Sequence, residues 1–386
     1  MHVVHYIHEI DLALGGVVRC VLDLASLMRA RGQQITVLTH DAKDAPPSWS
    51  ERGIEVVELG RYGSALSRLS QPQLNAATAA IRRADVLHMH GIWHPSNDQL
   101  ARLARRLGKP YVISAHGMLD DWSMQQKHLK KKLFLGLGAS KTLHRAASIH
   151  CTATNELAQA KKWFEPARGE VAPLVFDLEP YREPPGPGPA REAFPEAFET
   201  GDPVVLFLSR LHYKKGPDVF IRAMGELGRI GIPFSAVLAG TGDDGYVHEL
   251  RQLAKVEGVA DRCHFVGLVT GALKTSLYQA SSVFALPTSQ ENFGFVFPEA
   301  MACGTPVITT TGVDTHPELR ESGGAVIVDR DPHAFADAVV QLLGHPEQIE
   351  KMGRAGRSWV FDFLEPEAVA RAFDALYARA AAKQSA

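Results

Sequence analysis

Short runs of β-branched and aliphatic residues alternate along the chain with longer stretches whose apolar positions recur every three or four residues. Residues 3–7 read as a strand, 17–30 as an amphipathic helix and 35–39 as the next strand. This alternation predicts parallel βαβ units. Further strands are predicted at 54–58, 86–90, 111–114 and 148–152, with helices at 98–107 and 126–144 between them. From Pro173 to Pro203 the pattern dissolves into a segment containing Pro184-Pro185-Gly186-Pro187-Gly188-Pro189, which suits neither a helix nor a central strand. A second series then follows at 204–208, 236–239, 264–266, 283–286, 307–309 and 325–328, each strand leading into a loop or helix-like segment. The last stretch, 366–381, carries Val369, Ala370, Phe373, Leu376 and Tyr377 on one helical face.

The expected fold class is therefore α/β, with two Rossmann-like doubly wound domains facing across a cleft. Residues 1–178 form the N-terminal domain, 179–202 a Pro/Gly-rich linker and 203–364 the C-terminal domain. A terminal helix over 365–386 returns to pack on the first domain.

Composition narrows the function. A chain of 386 residues exceeds one ordinary core. Its 41 Lys and Arg against 43 Asp and Glu leave a formal net charge of -2, which removes the simplest case for a nucleic-acid partner. Cys20, Cys151, Cys263 and Cys303 stand singly and read as reduced, buried thiols. The opening strand reaches Glu9 and Asp11 at once, unlike a signal peptide, and no apolar run approaches the roughly 20 residues of a membrane span. A cytoplasmic protein is expected.

The most informative segment runs from Pro287 to Ile308, through Glu291-Asn292-Phe293-Gly294-Phe295-Val296-Phe297-Pro298-Glu299. A strand ends, a loop runs and a helix starts, with Pro298 in its first turn and Gly304 at its exit. The NH groups of Gly294, Phe295 and Val296 lie near the positive end of that helix and suit a phosphate. Carboxylates at Glu291 and Glu299 can accept hydrogen bonds from sugar or ribose hydroxyls. Glu299 can equally serve only to complement the helix dipole.

Two glutamates separated by seven residues and followed by Ala-Met-Ala-Cys-Gly-Thr-Pro-Val-Ile resemble the signature of the retaining glycosyltransferases of family four, which have the GT-B fold. The resemblance implies that Glu291 contacts the donor sugar and Glu299 the ribose. Ser209-Arg210-Leu211-His212-Tyr213-Lys214-Lys215-Gly216 matches the family's Arg and Lys pair, which implies that Arg210 and Lys215 hold the donor diphosphate. A planar guanidinium fork and a point charge suit that ligand chemically. Gly15-Gly16 opens the helix after the first strand, where the family has a loop near the donor phosphates. His116, just past a strand's carboxyl end, corresponds to a family histidine that approaches the donor sugar; alone it reads equally as a structural histidine. The catalytic set implied is His116, Arg210, Lys215 and Glu291. The donor-binding set adds Gly15, Gly16, Gly242, Asn292, Phe293, Gly294, Phe295, Val296 and Glu299.

Three patterns carry less. Gly240-Thr241-Gly242-Asp243-Asp244-Gly245 matches a dinucleotide fingerprint, but its two aspartates would face a pyrophosphate, so a nucleotide-side loop is expected instead of an NAD site. Asp329-Arg330-Asp331 reads as a helix start and not as an acidic metal pair. His88-Met89-His90, with His94 beyond, reads as core or cleft lining. No metal and no cofactor are expected. Lysines from Lys127 to Lys141 join apolar residues, a face that either contacts anionic lipid peripherally or is simply solvated.

The resemblance implies transfer from a UDP- or GDP-linked sugar to a glycan or lipid-linked acceptor, with retention, in polysaccharide biosynthesis. The acceptor's proton would pass to a donor phosphate oxygen. Asp120 and Asp121 are candidates to assist the acceptor. One departure is Pro173-Leu174-Val175-Phe176-Asp177, where the family often has Pro-Asn-Gly-Val-Asp. Competing readings are a nucleotide-sugar epimerase on the same plan, which needs no acceptor, and a non-catalytic nucleotide-sugar binder.

Overall fold

The computed structural model describes residues 1–61 and 68–383. The chain divides into two compact units, one of Met1–Phe176 with Pro366–Ala386, the other of Asp177–Glu365. The first unit is built on seven parallel strands: β1 (His2–Tyr6), β2 (Gln34–Thr39), β3 (Ile54–Glu58), β4 (Val86–His90), β5 (Tyr111–Ser114), β6 (Ser148–Cys151) and β7 (Gly169–Val171). Their spatial order is β3-β2-β1-β4-β5-β6-β7, so the winding reverses between β1 and β4. In the second unit β8 (Val204–Leu208), β9 (Ser235–Ala239), β10 (Cys263–Gly267), β11 (Val283–Leu286), β12 (Val307–Thr310) and β13 (Ala325–Val328) lie in the order β10-β9-β8-β11-β12-β13, again all parallel. The reversal there falls between β8 and β11. Open α/β sheets bind ligands at the carboxyl ends of the strands beside such a reversal.

Both faces of the first sheet are covered, which is why strands such as Val86–His90 are buried along their whole length. One face packs on the helices Gln71–Arg83 and Pro95–Arg106, the other on Gly16–Ala30 and Pro366–Ala382. The terminal helix places Val369, Ala370, Phe373, Leu376 and Tyr377 in that second core at no more than 1% exposure. At about 1.5 to 3 kcal/mol for each large apolar side chain, this burial ties the chain's end to the first unit. Arg31 pairs with Glu367 and Asp374 along its rim. Residues 384–386 of this segment lie outside the described residues.

Two sequence readings need correction. The segment 179–202 is no free linker, since it forms short helices at Glu179–Arg182, Gly188–Ala193 and Pro195–Ala197 within the second unit. Pro180, Pro189 and Pro195 fall in first turns, where the missing NH costs nothing. The Gly186 NH donates to Gln279 Oε1 (2.7 Å) and the Ala190 NH to Ser276 Oγ (2.9 Å), which docks it on helix Gly271–Ala280. Nor is 126–144 one helix. It breaks into His128–Phe134 and Ser140–His144, joined through the wide turn Leu135–Ala139, where Gly138 (φ 140°) leaves the helical conformation. Where the sequence departs from the family pattern, Leu174, Val175 and Phe176 are buried.

Candidate active site

In the second unit the loops after β8 and β11 stand side by side at the reversal and are stitched through main-chain atoms. The Lys214 carbonyl accepts from Ser289 N (2.8 Å), Ser289 Oγ (3.1 Å) and Thr288 Oγ1 (3.2 Å). Arg330 spans both loops, donating to the carbonyls of Pro287 (2.9 Å) and Tyr213 (3.1 Å). Gly216, at φ +75°, closes the turn Tyr213–Lys215, and a Cβ there would lie 2.2 Å from the Pro287 carbonyl oxygen. Only glycine combines that backbone with that approach. Asp331 caps helix Pro332–Leu343 by accepting from Ala334 N, the N-cap role its spacing suggests.

This scaffold sets Lys215 directly on Glu291 as an ion pair whose side chains keep only 11% and 22% exposure. Glu291 is held by its main chain, donating to the Gly312 carbonyl (2.9 Å) and accepting from Asp314 N (2.8 Å). Burial, then the like charges of Lys214 and Arg210, pull the Lys215 ammonium down to about 7. The Glu291 carboxylate in direct contact acts in the opposite sense and keeps it charged. Arg210 is exposed and makes no ion pair among the described residues.

Helix Val296–Ala302 follows the β11 loop, with Gly294, Phe295 and Val296 at its start and Glu299 in its first turn. Asn292 donates to Asp314 Oδ2 (3.1 Å), and Phe293 is buried at 5% exposure. Glu299 accepts from Lys274 Nζ (2.7 Å) and Tyr278 OH (3.2 Å). Sequence reasoning missed both partners; they sit on the preceding helix, and no local spacing marks them. Gly242 is exposed beside Leu211, and a Cβ would lie 2.2 Å from that residue's carbonyl oxygen. Backbone packing thus accounts for this glycine without a ligand.

The remaining site residues lie in the first unit. Gly15 caps helix Gly16–Ala30 beyond the carboxyl end of β1. His116 follows β5 with φ +49°, a left-handed conformation that costs a non-glycine residue about 1 to 3 kcal/mol. The fully buried Glu156 holds the strain, accepting from Gly117 N (2.5 Å), Thr152 N (2.5 Å) and Thr152 Oγ1 (2.8 Å). Asp120 caps helix Asp121–Gln125 by accepting from Ser123 N, and Asp121 pairs with Lys162 (2.6 Å) at the surface.

His116 belongs to a group of five histidines that sequence reasoning did not assemble. His5 pairs in register with His88, His90 with Ser114, and Ser114 with His150. Burial lowers the imidazoles of His5 and His116 to about 3 and those of His88 and His90 well below the ordinary range. All are neutral at physiological pH. His5, His88 and His90 each bring a ring nitrogen within 4.8 Å of the others, as a metal site would require. Both nitrogens of His88 are already used, however, bonding Tyr377 OH (2.9 Å) and Ser114 Oγ (2.7 Å), so coordination would break one of these bonds.

Two doubly wound parallel domains of this kind are the GT-B architecture. The structure superposes on HepE from Anabaena, solved in complex with UDP, with a TM-score of 0.78 over 97% of this chain and 99% of that one, at 18% identity. It also matches sucrose-phosphate synthase from Thermosynechococcus elongatus (TM-score 0.74, 97% and 98% covered, 20% identity). In sequence, the family described as glycosyl transferases group 1 matches residues 190–359, and the glycosyl transferase 4-like domain matches 15–174. A GDP-mannose-dependent alpha-(1-6)-phosphatidylinositol monomannoside mannosyltransferase from Mycolicibacterium smegmatis is 31% identical over 349 residues, 84% of this chain and 87% of that protein. A D-inositol 3-phosphate glycosyltransferase from Segniliparus rotundus is 27% identical over 361 residues, 89% and 80% respectively. The chain belongs to the group 1 glycosyltransferases and is an enzyme of that class.

Proposed function

We propose that the protein is a retaining glycosyltransferase that moves a sugar from a UDP- or GDP-linked donor to the hydroxyl of a lipid-linked or oligosaccharide acceptor in polysaccharide biosynthesis. The observation that carries this is the pairing of Lys215 with Glu291, beside Arg210, at the reversal of the second sheet. Relatives point the same way: one mannosyltransferase is GDP-mannose-dependent, and HepE was crystallised with UDP-glucose.

In this reading Arg210, Lys215 and the helix start at Gly294 to Val296 stabilise the negative charge that grows on the departing diphosphate. Glu291 receives donor-sugar hydroxyls and Glu299 the ribose. The acceptor oxygen attacks the anomeric carbon from the face the diphosphate leaves, and its proton passes to a phosphate oxygen of the donor. Bond breaking runs ahead of bond making, which gives oxocarbenium character and retention. Gly15, Gly16 and His116 act from the first unit.

A membrane-facing surface fits a lipid-linked acceptor. Leu129, Leu133 and Leu137 are exposed to 80%, 64% and 73% and follow one another at four-residue intervals. Lys127, Lys130, Lys132 and Lys141 flank them, whereas Lys131 turns inward to Ser123 and over the Trp93 ring. Apolar knobs among lysines suit the surface of an anionic bilayer, here the inner face of the cell membrane. Among the described residues no helix is long and apolar enough to cross one.

The test is product formation from UDP-, GDP- and ADP-sugars with a membrane lipid extract, in wild type, Glu291→Ala and Lys215→Ala. Transfer that both substitutions abolish supports the reading and names the donor. Full activity in both variants, or conversion of donor to an epimer without acceptor, refutes it. For the surface, co-sedimentation with anionic vesicles should be lost in Leu129→Glu/Leu133→Glu.

A further inference from the structure

The buried histidines form two hydrogen-bonded chains of opposite character. In the first, His150 Nε2 faces the Ala172 carbonyl at 2.8 Å, which can only accept, so this nitrogen carries the proton. Neutral His150 is then bare at Nδ1 and accepts from Ser114 Oγ (2.7 Å). Having given its only proton, Ser114 accepts from His88 Nε2 (2.7 Å), which leaves His88 Nδ1 to accept from Tyr377 OH (2.9 Å). Each donor finds an acceptor, and the direction is fixed by one carbonyl. This chain is structural.

The second chain has no such anchor. His5 Nδ1 lies 3.0 Å from His90 Nε2, and His90 Nδ1 lies 3.3 Å from His116 Nε2. The end atoms, His5 Nε2 and His116 Nδ1, are buried and have no hydrogen-bond partner. Two protonation patterns satisfy the internal bonds equally. In one, each ring is protonated at Nδ1, so that His116 offers an N–H at its open end. In the other, each is protonated at Nε2, so that His116 offers a lone pair. A mixed pattern sets two N–H groups, or two lone pairs, against each other, so the three rings change together. Packing alone explains none of this, because apolar side chains would fill the same space without two orphaned nitrogens.

We infer that His5, His90 and His116 act as one switchable imidazole chain, in which His90, completed by His5, is a positioning residue that decides whether His116 donates to or accepts from a substrate oxygen. The chain lets one imidazole meet a phosphate or carbonyl oxygen as a donor and a hydroxyl hydrogen as an acceptor without any ring becoming charged. The strained backbone at His116, held by Glu156 on Gly117, keeps the ring in line with His90. The inference rests on the role given above to His116, and its test separates the two.

The protein labelled with nitrogen-15 in its histidines should show couplings across the two N–H···N bonds, joining His5 to His90 and His90 to His116. In His90→Phe the couplings vanish and the His116 nitrogens move toward an averaged tautomer mixture. With UDP-glucose or GDP-mannose as donor, kcat falls by roughly tenfold or more while the donor KM changes far less. His90→Gln, whose amide can donate on one side and accept on the other, recovers most of that loss. His88→Phe, in the other chain, lowers stability but leaves the His116 signals in place. The inference is overturned if the His116 nitrogens in His90→Phe match wild type, if kcat is unchanged, or if His90→Phe and His90→Gln lose kcat equally in proportion to a lowered melting temperature. His5→Phe, which ends the chain one ring earlier, repeats the spectral test should His90→Phe fail to fold. Full transfer by His116→Gln would instead overturn the role given to His116, and the couplings would still report whether the chain exists.

Discussion

Replacing Glu291 with Gln should shift the enzyme's pH dependence to lower pH than in the wild type. In wild type the carboxylate contacts the Lys215 ammonium, and the two side chains retain 11% and 22% exposure. Gln keeps the volume and removes the charge, leaving the influences that pull Lys215 to about 7, namely burial and the neighbouring charges of Lys214 and Arg210. In unfolded protein the same ammonium titrates near its ordinary 10.5. Between these values the unfolded state binds more protons, so the variant's stability rises with pH from about 7 to about 10.5, and the deficit is largest below 7. Leaving a partly buried charge unpaired costs about 3 kcal/mol, the lower end of the range for buried pairs because these side chains are not fully enclosed. At about 2 to 4 °C per kcal/mol for domains of this size, the melting temperature at pH 6 should fall by about 6 to 12 °C. Activity moves the opposite way, since the diphosphate is held by the charged form. Expressed relative to its own maximum, transfer by Glu291→Gln should decline at lower pH than transfer by wild type, because the variant's ammonium has lost its carboxylate partner. Melting curves and initial rates from pH 5.5 to 9 measure both. Identical profiles for the two proteins, or a variant that is most stable at low pH, would refute the argument.

Other expectations follow from single contacts. Gly216→Ala should destabilise the second unit by more than about 2 kcal/mol in chemical denaturation, since its Cβ meets the Pro287 carbonyl at 2.2 Å in a left-handed backbone. Tyr377→Phe removes the donor to His88 Nδ1 in a fully buried chain and should cost about 1 to 3 kcal/mol in thermal unfolding, with transfer kinetics nearly unchanged. Lys274→Met strands one oxygen of Glu299 and should raise the donor KM more than it lowers kcat in steady-state assays, because the contact lies on the proposed ribose side.

The strands of both units, and the terminal helix with its buried stripe, were legible because their signal is local: runs of apolar residues, helical spacing, and punctuation by Gly and Pro. The same reliance on local signal explains the errors. Prolines at 180, 189 and 195 read as breakers until the fold shows them in first turns. The helix Pro346–Phe363 went unremarked, and the break inside 126–144 depends on Gly138 in an otherwise helical run. In the site, the segment from Glu291 to Glu299 was visible because its chemistry is contiguous. Lys274, Tyr278, Arg330 and Glu156 were not, since each reaches its partner through the fold. The histidines left one trace: His5, His88, His90 and His150 all sit on strands, in positions that parallel pairing brings into or beside one another's register.

The central claim is that the carboxyl ends of the second sheet hold a nucleoside diphosphate. Calorimetric titration of UDP and of GDP into wild type and Arg210→Ala tests it most directly, because Arg210 is exposed and its loss should leave the fold intact. Losing one charge-assisted contact of about 1.5 to 3 kcal/mol predicts affinity for the preferred nucleotide weaker by roughly tenfold to a hundredfold, with an unchanged melting temperature. Equal affinity in the two proteins, or no binding of either nucleotide by wild type, would contradict the claim.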